Sequence, residues 1–230
     1  MKSNIKSART SWWSDPVRRM QAVNGIAHTC ARLGEVFLWI SFAIGPVLLG
    51  IAVLSPQSLE LGREGETAVV HFGVWNFEID GQVLDTSIRL STFGGSDQVS
   101  IPALVITVLS TMLVIAMFAL SFHEVGSTCS ELYRWNVARA ENRDRDYFSD
   151  EMESPFRSAL IARMRRIGMY LIIAPLGGFA TSLLGFFVVG AVSIGFSYGI
   201  LCIMLGLVAL SLAHVFSYGG ELQREVDGLL

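Results

Sequence analysis

The chain has 230 residues, of which 52% are hydrophobic and only 16% charged, with a formal net charge of −3 and a mean hydropathy of +0.51. Soluble domains carry about 25% charged residues, so the deficit excludes an ordinary water-soluble globule. The charges gather between four long uncharged runs, which is the pattern of an all-α integral membrane protein with four transmembrane helices.

Residues 1–35 precede the first run. "SDPVRRMQAVNGIAHTCARLGE" reads as a helix with Asp15 as N-cap and Pro16 at its first position. Val17, Met20, Val23, Ala27 and Cys30 give it a partial apolar face, and Trp12 and Trp13 lie just upstream. An interfacial helix on the inner leaflet is expected, its competitor being a helix packed on the protein's own loops. The start does not read as a cleavable signal peptide, because the apolar run begins near residue 36 and has no small-residue cleavage site.

The spans are 36–54, 101–122, 169–190 and 196–216, each of 19 to 22 residues without Asp, Glu, Lys or Arg. A hydrocarbon core of about 30 Å needs roughly 20 residues at helical rise, and lipid offers no partner to an open backbone, so helix is the required form. Lys and Arg set the orientation: six lie in 1–35, eight in the loop 123–168 and one in the tail 217–230, against two in 55–100. Both termini and the central loop are therefore expected in the cytoplasm. Arg163, Arg165 and Arg166 fall at the inner end of the third span, where anionic headgroups attract them and anchor the helix.

The exported segment 55–100 is rich in Val, Ile, Phe and Thr, and Asp80-Gly81 is a two-residue hairpin signal. A small exported β-hairpin is expected, with Trp75 and Phe77 on one arm facing Val83 or Ile88 on the other. Its seven carboxylates against two arginines make an acidic face without clustered ligand spacing. In the loop 123–168 the second span continues as a helix. A short acidic turn, "DRDYFSDEME", follows, and Ser154-Pro155 then starts a helix into the third span, giving a cytoplasmic helical extension. Its eight arginines are matched by eight carboxylates, which argues against nucleic acid as a partner.

Two sets of residues within the spans or at their ends are candidates for packing or chemistry. Ala174, Gly178 and Ser182 form one row of small residues, and Gly177, Thr181 and Gly185 a neighbouring one. Such rows let helix backbones approach closely, within the chain or across a homo-oligomer. Pro46 and Pro175 are expected to kink spans one and three. Glu35, His123, Glu124 and His214 share a depth near the cytoplasmic span ends, and two imidazoles with two carboxylates are candidate metal ligands or proton carriers. The competing expectation pairs Glu35 with Arg165 or Arg166. No phosphate loop, HExxH or CxxC motif is present, and "GFSYG", Gly195 to Gly199, sits at a turn between spans and carries little weight. The three cysteines suggest no disulfide. No cofactor and no enzymatic activity are expected.

"LYRWNVARAENRDRDYFSDEMESPFRSALIARMRRIGMYLI" resembles the central region of domain-of-unknown-function family 2975, bacterial four-span membrane proteins, through Phe148-Ser149 and Arg165-Arg166-Ile167-Gly168. The closing "FSYGGELQREVDGLL" is similar to that family's final element, here Gly220, Glu221, Leu222, Glu225 and Asp227. Val226 and Gly228 depart from the pattern. The resemblance implies four-span topology in a bacterial inner membrane and supplies no catalytic residue. The functional expectation is a regulatory or sensory membrane protein with the bilayer and a protein partner or second copy as its contacts, the Gly220–Asp227 tail offering a cytoplasmic interaction site. A small oligomeric transporter or channel, and a metal-binding or redox membrane protein, are the alternatives.

Overall fold

The computed structural model describes residues 16–61, 67–72, 75–84, 86–91, 99–141, 158–190, 192–195 and 197–227. Trp12, Trp13, Asp15, the acidic turn with Phe148-Ser149, and Ser154-Pro155 lie outside them.

Four helices dominate the described residues: α1 (Pro16–Leu54), α2 (Ile101–Glu141), α3 (Ser158–Val189) and α4 (Ser197–Asp227). Each is long and apolar enough to cross a membrane. Their 31 to 41 residues correspond to roughly 46–62 Å, well beyond a bilayer core. The surplus corrects one expectation. Residues 16–35 are not a separate interfacial helix; they prolong the first span without interruption. No proline falls between Val17 and Gly45 to break the helix, and Arg32 and Glu35 pair at i, i+3 across the expected boundary, 2.6 Å apart. The tail likewise continues α4 as far as Asp227. Pro46 and Pro175 sit inside continuous helices; each leaves one carbonyl a turn earlier without its usual N–H.

Contacts divide the chain into two units, and every one of the four helices contributes to both. One comprises Met1–Glu35, Ser121–Ile167 and Ala209–Leu230; the other comprises Val36–Leu120 and Gly168–Val208. Within the second unit, a 3₁₀ turn (Pro56–Ser58) leads from α1 into two three-stranded antiparallel sheets. The first is β1 (Leu59–Leu61), β2 (Thr67–Phe72) and β3 (Trp75–Asp80) in that order; the second is β4 (Gln82–Val83), β5 (Thr86–Ile88) and β6 (Val192–Ile194).

The expected hairpin at Asp80-Gly81 is corrected here. β3 pairs back onto β2, Phe72 with Trp75 and Val70 with Phe77. Val83 pairs instead with Thr86. Asp80 Oδ1 accepts the Gln82 N–H at 3.0 Å and the Gly81 carbonyl accepts the Ile88 N–H at 2.9 Å. Those bonds turn Asp80-Gly81 into a corner that passes the chain from one sheet to the next. The short turn between spans three and four is also more than a turn, because β6 pairs along β5, Ile88 opposite Val192.

A core binds the sheets to the helix ends. Ala52 of α1, Ala103 and Leu104 of α2, and Ala68, Ile88 and Leu90 from the sheet segment are all fully buried, with Leu59, Leu61 and Ile79 packed against them. Each fully buried Leu or Ile contributes about 1.5–3 kcal/mol, which a lone hairpin in water cannot gather.

Candidate functional site

The polar side chains of the first unit join α1 to α2 and α2 to α3. On α1, His28, Ala31, Arg32 and Glu35 recur at i, i+3, i+4 and i+7 and so share one face. That face meets His123 and Gly126 of α2. Ala31 is buried, and its Cβ lies 3.5 Å from the position that a Cβ on Gly126 would take. The missing side chain at Gly126 lets the two backbones close up and leaves its carbonyl reachable, so His28 Nδ1–H donates to it at 2.8 Å. Glu35, only 13% exposed, is held from two sides: Arg32 Nη1 donates to Oε2 at 2.6 Å, and His123 Nδ1 lies 2.8 Å from Oε1. The latter bond places the His123 proton on Nδ1, so Arg32 Nη1 at 3.3 Å from that nitrogen is a neighbour and not its donor. Between α2 and α3, Arg166 pairs with Glu124 at 2.7 Å and Arg163 with Glu131 at 2.6 Å.

The four-residue layer expected near this depth does not form one site. Glu35 and His123 meet each other, Glu124 turns to Arg166, and His214 is exposed on α4 with no partner among the described residues. The alternative pairing of Glu35 with Arg165 or Arg166 is also replaced, by Arg32 and His123. Among the described residues no group of three His, Cys, Asp or Glu side chains is arranged to hold a metal ion. No disulfide joins the three cysteines. Of the three arginines expected to anchor span three, Arg163 and Arg166 are engaged by carboxylates, and Arg165 is exposed without an ion pair among the described residues. Glu221, Leu222 and Glu225 of the tail lie exposed on α4, Gly220 is half-buried, and Asp227 is the helix's last residue.

In the second unit the small-residue rows of α3 lie against α2. Ala174 and Ser182 are fully buried and Gly185 is buried. A Cβ at Gly177 would stand 2.6 Å from Leu113 Cδ2, whereas one at Gly178 would make ordinary contact with Val114 at 3.7 Å. Ser110 of α2 and Thr181 of α3 share a hydrogen bond of 2.5 Å; Thr181 Oγ1 also lies 2.9 Å from the Gly178 carbonyl, and Ser182 Oγ donates to that same carbonyl at 2.7 Å. The hydroxyls are thereby satisfied in apolar surroundings, as burial requires.

The sheets hold one further titratable group. His71 Nδ1–H donates to Asn76 Oδ1 at 2.8 Å, and Nε2 lies 3.2 Å from Glu60 Oε2, close enough for attraction but off the hydrogen-bonding line. The Asn76 bond first, and Glu60 second, raise the imidazole pKa above its ordinary value.

Sequence reasoning missed His28, Arg32, Gly126 and Ser110. The heptad-like spacing of His28 to Glu35 was the available signal; nothing local in the sequence points to Ser110. Among the described residues these polar contacts tie helices together. No protein-family model matches the chain, and no curated protein or solved structure does so either. The resemblance to family 2975 gains no support from these comparisons.

Proposed function

We propose that the chain is a non-enzymatic, multi-pass membrane protein of the bacterial inner membrane that relays a signal or a binding event, with both termini in the cytoplasm. One observation carries this reading: the sheets are not tethered to the helices but share a fully buried core with them at Ala52, Ala103 and Leu104. A partner or ligand that displaces the sheets must move the ends of α1 and α2. Helices that continue well past span length, clasped by Arg32–Glu35–His123, Glu124–Arg166 and Glu131–Arg163, supply an output on the cytoplasmic side. The fifteen-to-two distribution of Lys and Arg supports the orientation.

Rescue of the knockout phenotype in the native host tests the relay. A chain lacking residues 140–153 and the last eleven residues should reach the membrane and fail to restore the phenotype; full rescue would remove the cytoplasmic output and with it the proposal. Reporter fusions at Ser91 and Asn142 check the topology separately and should report periplasm and cytoplasm respectively.

A further inference from the structure

The second unit contains an apolar cavity of about 230 Å³ between α3, α4 and the β4–β5 turn. Its origin is local. Pro175, Gly178 and Gly199 line it, two of them without side chains and one with a compact ring, so the facing helices leave volume unfilled. Leu84 closes one wall from the turn, with Cδ1 3.9 Å from where a Cβ on Gly178 would be. To reach there Leu84 adopts φ 54°, a left-handed conformation that a non-glycine residue rarely holds and that costs of order 1 kcal/mol or more.

The chemistry of the lining selects the occupant. Among the described residues no charged or hydroxyl-bearing side chain lines the cavity. An apolar cavity of about 150 Å³ already stays dry and takes up a hydrocarbon guest such as benzene, and this one is larger. Phe179 and Ile200 form part of its wall at 37% and 56% exposure. The surface around them carries Leu183, Leu201 and Met204, all 40% or more exposed. In a membrane-embedded chain that surface faces lipid, so the mouth of the cavity is continuous with the bilayer.

We infer that this cavity binds the acyl chain of a membrane lipid, with Leu84, Phe179 and Ile200 as contact residues. The inference rests on the membrane location proposed above. The Leu84 turn belongs to the same strand pair as Ile88, so an inserted chain touches the sheet as well as the helices and couples lipid occupancy to the sheet's position.

Photolabelling distinguishes this from general lipid contact. The full chain is reconstituted into phosphatidylcholine and phosphatidylglycerol nanodiscs containing a lipid with a diazirine on its acyl chain, irradiated, and mapped by mass spectrometry. Adducts at Leu84, Phe179 and Ile200 should exceed, several-fold, those at the comparably exposed Leu201 and Met204. Ile200→Trp, which adds bulk at the mouth, should remove the cavity adducts and leave those at Leu201 and Met204. Gly178→Ala makes only ordinary contacts at 3.7 and 3.9 Å, so it should reduce the cavity adducts without lowering the melting temperature. Equal labelling inside and outside the cavity in a folded protein overturns the inference. Loss of adducts at Leu201 and Met204 as well would mean that the chain does not meet hydrocarbon, and the membrane location falls with it.

Discussion

Replacing Gly206 by alanine probes how closely α3 and α4 approach. A Cβ on Gly206 would lie 2.8 Å from the Gly168 carbonyl oxygen and 2.7 Å from Ile172 Cγ1. The isoleucine has some freedom to move, but the carbonyl belongs to a helix backbone and does not. Ordinary contact begins at 3.4 Å, so against 2.8 Å the helices must separate locally by about 0.6 Å. Overpacking of this kind costs about 1–3 kcal/mol, opposed by the roughly 0.8–1.0 kcal/mol that alanine gains over glycine inside a helix. Gly50→Ala isolates the clash, because no described residue lies within 4 Å of its Cβ position and only the propensity gain operates there. For a chain of this size about 1 kcal/mol corresponds to roughly 2–4 °C, so Gly206→Ala should melt roughly 2–12 °C below Gly50→Ala. The assay is thermal unfolding of the purified full chain in one detergent, followed by circular dichroism. A Gly206→Ala protein melting with or above Gly50→Ala would refute the close approach of α4 to the Gly168 carbonyl.

Three further outcomes follow from named contacts. Glu35→Gln should lower stability by only about 1 kcal/mol, since Arg32 and His123 are both more than a third exposed, and Arg32→Ala in that background should add little in a double-mutant cycle. Thr181→Val should cost about 0.6–1.7 kcal/mol, with Ser110→Ala recovering part of it, because the pair is worth more than either hydroxyl alone; strictly additive losses would deny the bond. His71 contributes stability that is fully present below the imidazole's ordinary pKa of about 6.5 and fades as pH rises through its raised folded value. Protection factors of the β2 and β3 amides, with the base-catalysed rise of intrinsic exchange divided out, should accordingly fall over that rise, and His71→Gln should remove the fall.

How much was legible in the sequence depends on the range of the physics involved. Spans are local: hydrocarbon demands about twenty uncharged residues in a row, and four runs met that demand. The small rows of α3 were readable as a face, because four-residue spacing fixes an azimuth, though not which helix would cover it. The polar layer failed for the complementary reason. Span ends predict depth and say nothing of rotation, and consecutive helical residues point about 100° apart. His123 therefore faces α1 while its neighbour Glu124 faces α3. Asp80-Gly81 is a strong turn signal, but the turn it makes is a corner between sheets, a choice set by β3 pairing back onto β2. β6, three residues long, is too short for any period to show.

The proposed relay depends most on α2, and one comparison within that helix tests it. Leu104 is fully buried in the core that also holds Ile88 and Leu90, while Leu109, little more than one turn away, is 52% exposed. Leu104→Ala should cost about 2–5 kcal/mol, as buried leucine truncations do, whereas Leu109→Ala should stay within about 0.5 kcal/mol. Amide exchange at Ile88 and Leu90 reads the difference where it matters, because both lie in the sheet segment and not in the mutated helix. If Leu104→Ala accelerates their exchange and Leu109→Ala does not, the sheets owe their order to α2, and a force on one is a force on the other. If both variants leave the sheet amides equally protected, the sheets hold themselves together without the helix, and no displacement of theirs has a mechanical route into the membrane.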